Sequence, residues 1–180
     1  MAHPATQAEI IDALEASASS IIEFFSSVPD PLLFTGDPDH WGPAHHLAHL
    51  TQANVSVERA MRSGVLPPQP TGRSRTYAEV RDLATTSLDA APKDRLLEMG
   101  RRVVVASGTD KADLILHFAT TTERLHGTAA TWAEEALDRH TLVHPLMGAL
   151  TVREMLLFFV VHERHHLKLV RTRLEGQIPP

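Results

Sequence analysis

Near its C-terminal end the chain reads V-V-H-E-R-H-H-L-K-L-V, residues 160–170, which places His162, His165 and His166 within five positions. A helix advances about 100° per residue, so residues four apart stack one turn above the other on one face. Two imidazoles placed in this way can reach a single divalent cation, and histidine is the commonest metal-ligating side chain. Met155, Phe159, His162, His166 and Leu169 share one helical face, flanked by Phe158 and Val170, whereas Arg153, Arg164, Lys168 and Arg171 fall on the opposite one. His162 and His166 therefore stand in the middle of an apolar stripe, with His165 on its shoulder. Each buried imidazole carries an N–H and a lone pair that destabilise the fold unless they find partners. A cation satisfies one nitrogen of each ring, and a neighbouring acceptor the other. The simpler alternative is a pair of core histidines hydrogen-bonded to carbonyls or carboxylates.

A catalytic metal site usually has three protein ligands and an open position. The stretch W-G-P-A-H-H-L-A-H-L, residues 41–50, offers His45, His46 and His49. The apolar positions Leu47, Leu50, Ala53, Val57 and Met61 centre closer to His46. His49 lies at the stripe's edge beside Ala53, Ser56 and Ala60, small residues that leave room for a cavity. Phase alone leaves either open, with His46 the better centred.

These residues need helices to hold them. Residues 6–28 have helical spacing at Ile10, Leu14, Ile21, Phe24 and Phe25, start on the capping box Thr6 and Glu9, and stop at P-D-P. A second helix is expected over about 41–63, with Pro43 in its first turn and Gly64 as its stop. After the Pro-rich loop 65–75, a shorter helix follows over about 76–90 from another T-x-x-E start. Residues 91–109 are open between extended loop, short strand and helix end. A third long helix is expected over about 110–137. The stretch D-R-H-T-L-V-H-P-L-M-G-A-L (138–150) reads as a loop, and the last helix runs from the capping box at Thr151 to near Leu174. Four long helices without a strand pattern give an all-α four-helix bundle, with a long irregular crossover between helices two and three. At 180 residues, one domain over 1–180 is expected.

Composition removes several classes of function. There is no cysteine, which excludes disulfides, thiolate metal sites and a cysteine nucleophile, and fits a cytoplasmic setting. The net charge of −5, with no basic tail, offers nothing to nucleic acid or anionic lipid. The N-terminal residues show no signal-peptide pattern, and no apolar run reaches the length of a membrane span.

W-G-P-A-H-H-L-A-H-L resembles the helix-two signature of the DinB/YfiT-like superfamily, a Trp followed eight residues later by His-Leu. The stretch from His144 to His166 resembles its closing motif: an H-P-x-x-G loop, a threonine-capped helix, then H-x-x-x-H. The resemblance implies a four-helix bundle, often a homodimer, with a divalent metal such as zinc or nickel held by three histidines. Carried over by position, the ligands are His49, His162 and His166, so the resemblance selects His49 over His46. It also implies a small-molecule substrate. Members with known activity include S-transferases dependent on mycothiol, bacillithiol or glutathione, and a maleylpyruvate isomerase; many others are described as metal-dependent hydrolases.

Around such a site, Glu163 points about 100° away from His162, toward a neighbouring helix or the rim. Glu58 faces away from His49 toward solvent, and His144 reads as a structural hydrogen-bonding residue. Trp41 anchors the start of helix two, and Arg101 and Arg102 read as solvated surface. Glu123 and His126 lie on a helix whose orientation the pattern does not give. The leading expectation is a metal-dependent hydrolase or thiol S-transferase. The others are a non-catalytic metal- or ligand-binding bundle and a structural dimer.

Overall fold

In a computed structural model the described residues are 3–69 and 73–177. The elements are α1 (Gln7–Ser27), α2 (Asp30–Leu33), α3 (Pro43–Ser63), α4 (Tyr77–Asp89), α5 (Lys93–Gly100), α6 (Lys111–Ala130), a 3-10 turn (Glu134–Asp138), β1 (Thr141–His144), β2 (Gly148–Thr151) and α7 (Val152–Arg173). The four long helices α1, α3, α6 and α7 close a ring: α6 packs on α1 and α3, and α7 packs on α1 and α3. This is the expected all-α bundle. The crossover between its second and third helices carries α4, which leans on α7, and α5.

Local chemistry sets the helix limits. Capping boxes open α1, α4 and α7 at Thr6, Thr76 and Thr151, each with a glutamate three residues on. Pro43 sits in the first turn of α3, and Gly64 ends it with φ +65°, a left-handed conformation that glycine adopts without Cβ strain. The third long helix is shorter than expected. It stops at Ala130, and the chain re-enters as the 3-10 turn, leaving Trp132 outside the helix.

The segment expected as a loop is a β-hairpin. Thr141–His144 pairs antiparallel with Gly148–Thr151, with His144 opposite Gly148. H-P-L-M-G is its turn: Pro145 fixes the entry, and Gly148 at φ +74° supplies the left-handed exit typical of a three-residue hairpin connection. In the undecided stretch, α5 forms over Lys93–Gly100 and residues 103–105 are non-helical.

Two apolar clusters fill the bundle. One gathers Ile10, Leu14, Leu125, Leu156 and Phe159 with the hairpin's Leu142 and Leu150. The other gathers Ile21, Phe25, Leu47, Phe118, Leu167 and Val170. The N-terminal half of α7 is buried on every side, so Arg153 is not on a solvated face: it is 9 % exposed. Arg153 bonds Asp138 at 2.7 Å and the backbone of Ala5 at 2.8 Å. A guanidinium enters an interior in this way only when its donors are matched.

The start of α7 is clamped from several directions. Thr151 Oγ1 accepts from Glu154 N at 3.1 Å and lies 2.6 Å from Ser74 Oγ, while Glu154 accepts from the backbone and side chain of Arg75 at 2.6 and 2.9 Å. One cap therefore both starts the helix and pins the crossover. Thr151→Ala should lower the unfolding free energy by about 1–2 kcal/mol, read from the urea midpoint at unchanged m-value. A change within about 0.3 kcal/mol would contradict this role for the cap.

Candidate metal centre

His46 and His49 are placed by the first two turns of α3, and His162 and His166 by the middle turns of α7, where the two helices pack together. His49 Nε2 lies 2.9 Å from His162 Nε2, which lies 3.0 Å from His166 Nε2. The donor atoms of these three residues all fall within 4.8 Å of one another. The structure thus brings together the three histidines selected by the resemblance. His46, the better centred by phase, is set back: its Nδ1 lies 2.8 Å from His166 Nδ1, on the other flank of that ring.

Hydrogen bonding alone accounts poorly for this cluster. A ring nitrogen carries either one proton or one lone pair, yet His162 Nε2 faces two Nε2 atoms at about equal distance. A cation suits three converging lone pairs, so the donor set fits a divalent metal of the kind that takes nitrogen ligands.

Aromatic rings wall the cluster. Trp41 lies 5.1 Å from His49, 5.3 Å from His46 and 6.2 Å from His166 between ring centroids, and its indole N–H donates to Gly100 O at 3.3 Å. Phe158 stacks on His162 at 5.0 Å. Trp41 therefore does more than start the helix: it ties α5 to the imidazoles. A Cβ at Gly100 would stand 3.3 Å from the indole nitrogen, which keeps that position small.

The electrostatics favour neutral rings. Burial pushes His46 and His49 down to about 4, and His162 and His166 well below the ordinary 6.5. Neighbouring histidines push in the same direction on His46, His162 and His166, and no carboxylate opposes them. Neutral imidazole is the form that binds a cation.

The remaining candidates lie around or away from the cluster. His144 Nδ1 accepts from the backbone N–H groups of Leu146 and Met147, both at 3.2 Å, and its ring packs on Phe158. Burial, then His49, pushes its pKa down to about 4. His165 lies edge-on to His166. His45 is buried with Nδ1 unpartnered, outside the group. Glu163 is 1 % exposed and turned toward Ser17 of α1, yet neither Glu163 Oε2 nor Ser17 Oγ has a partner at hydrogen-bonding geometry, and burial raises its pKa to about 8. Glu58 is not solvent-facing: it packs between Arg62 and Thr128 of α6. Glu123 and His126 line a shallow groove between α1 and α6. Arg101 and Arg102 are surface residues paired with Asp39 and Glu98.

A family model described as the DinB superfamily matches residues 13–170. The chain belongs to the DinB superfamily. No curated protein and no solved structure matches it. In this DinB member the matched span begins inside α1 and ends in the last turn of α7, so it includes both helices that carry the cluster. No helix among the described residues is long and apolar enough to cross a membrane.

The depressed imidazoles set a pH dependence. Between about 4 and the ordinary 6.5, the unfolded chain binds protons that the folded one does not, so the histidine contribution to stability is present above 6.5 and lost as pH falls toward 4. Glu163 acts in the opposite sense between its ordinary 4.5 and about 8, but the histidines outnumber it. In chelator-treated protein the thermal midpoint should fall steadily as the pH is lowered from 6.5 to 4.5. In Glu163→Gln, which removes the opposing trend, the fall should be steeper. A midpoint that rises on acidification through this range would contradict the assignment.

Proposed function

We propose that this chain is a metal-dependent enzyme acting on a small molecule, a hydrolase or a thiol S-transferase, with His49, His162 and His166 holding a divalent cation such as zinc or nickel. The observation that carries the reading is the convergence of three Nε2 atoms from two helices, 2.9 and 3.0 Å apart at its closest pairs. A divalent cation held there by neutral imidazoles would keep its full charge and lower the pKa of a water or thiol beside it.

The chain's own contribution is to hold the three rings neutral and oriented, with Trp41 and Phe158 packed against them. With no carboxylate acting on the rings, an anionic partner such as a thiolate suits the remaining position. The chain has no cysteine, so thiol chemistry requires a small-molecule thiol, with mycothiol, bacillithiol and glutathione the candidates. The net charge of −5 supports action without nucleic acid or anionic membrane, and the absence of cysteine fits a cytoplasmic setting. Homodimer formation rests on the likeness to family members.

A second reading is a metal- or ligand-binding bundle without catalysis. It is favoured by the positions of Glu163 and Glu58, which turn toward α1 and α6 and leave neither carboxylate at the cluster as a base.

The readings separate in one experiment. Untagged protein is stripped, reloaded with zinc or nickel, and analysed for metal by mass spectrometry. It is then assayed with the three thiols against electrophiles and with ester and amide panels. The expected result is about one metal per chain, abolished in His49→Ala and His166→Ala, with turnover that depends on loading. Bound metal without turnover favours the second reading, and no bound metal overturns the enzyme reading and the metal-binding form of the second.

A further inference from the structure

His46 contacts the cluster without belonging to it. Its Nδ1 meets His166 Nδ1 at 2.8 Å, both residues are 9 % exposed, and their ring planes are tilted by 57°. The hydrogen bond needs one proton between two nitrogens, which leaves two tautomeric assignments. If His46 donates, His166 Nδ1 is the lone pair and His166 Nε2 carries the proton, pointing an N–H at His162 Nε2. If His166 donates, its Nε2 presents a lone pair toward His162 and His49. Only the second assignment leaves all three converging nitrogens able to bind a cation.

The other two histidines are held differently. Among the described residues, neither His49 nor His162 has a side-chain hydrogen bond to its Nδ1, and His162 Nδ1 is buried with no partner at all. His162 is fixed by Phe158 stacked on it at 5.0 Å and by Phe159 at 6.2 Å. His166 has no such stacked partner: its aromatic neighbours other than histidines reduce to Trp41 at 6.2 Å, tilted by 31°. The hydrogen bond to His46 is thus its specific orienting contact.

We propose that His46 is a positioning residue for the metal centre: its Nδ1 accepts the Nδ1–H of His166 and so fixes that ligand's tautomer and ring angle. This rests on the metal reading above. It also accounts for two histidines one turn apart on α3, because His49 and His46 then meet the two ends of the pair on α7. Loss of such an outer partner typically weakens metal binding about 10- to 100-fold without removing the site.

The test is a competition titration of zinc into stripped wild type, His46→Leu and His46→Asn. The melting temperature of each metal-free protein is measured alongside to separate folding from binding. Asn keeps an acceptor oxygen near the position of Nδ1, whereas Leu fills the space without one. The expected result is one zinc per chain in all three, with affinity lowered about 10- to 100-fold in His46→Leu and within a few-fold of wild type in His46→Asn. Unchanged affinity in His46→Leu, or equal losses in both variants, would overturn the positioning role alone. Loss of zinc stoichiometry in His46→Leu with folding intact would make His46 a ligand and overturn it likewise. Failure of wild type to bind zinc would overturn the metal reading, and this inference with it.

Discussion

Imidazoles can sit in an apolar helix interface only if they are uncharged and their nitrogens are occupied, and much else at this end of the molecule follows from that constraint. The α3–α7 contact carries His46, His49, His162 and His166 between the bundle's two apolar clusters. Burial keeps the rings neutral, and neutrality leaves lone pairs to be directed. The geometry directs three of them to one place and backs one ring with a fourth. A protein built only for packing would gain more from leucine at these positions, because the polar atoms of four largely buried rings otherwise have to be matched.

The scaffold serves this arrangement through rigidity in α7. Its N-terminal half is enclosed by α1, α4, the hairpin and the 3-10 turn, and its first turn is bonded to Ser74 and Arg75 of the crossover. His162 and His166 therefore project from a helix that has little freedom to shift. The partner helix α3 is set by Pro43 at its start, while Trp41 just before it reaches across to α5. The irregular crossover, which packs no long helix of its own into the ring, thus supports both the start of α7 and the wall of the cluster.

Much of this was legible in the sequence because the signals were local. Capping boxes at Thr6, Thr76 and Thr151 and the stop at Gly64 fall where the pattern puts them, and the i, i+4 histidines lie on the face assigned by helical phase. The choice between His46 and His49 was different. Both lie near the same stripe, and only the relative rotation of two packed helices decides which nitrogen meets His162; a single helix does not contain that information. The hairpin was missed because four-residue strands are too short for a two-residue period to stand out, and because Pro145 and Gly148 look the same in a loop as in a turn. Arg153 was misplaced because the first half of α7 is surrounded on every side and has no solvated face for charge to mark, and Glu163 was left between a neighbouring helix and the rim because one helix's phase does not say what packs against it.

Three imidazole nitrogens, and not two or four, are expected to hold one divalent cation. X-ray absorption spectroscopy of the zinc-loaded protein counts them directly. The expected shell has three imidazole nitrogens at about 2.0–2.1 Å and one further light-atom donor in the position open to solvent or substrate. A shell with two imidazoles or fewer, or one completed by a fourth imidazole, would contradict it.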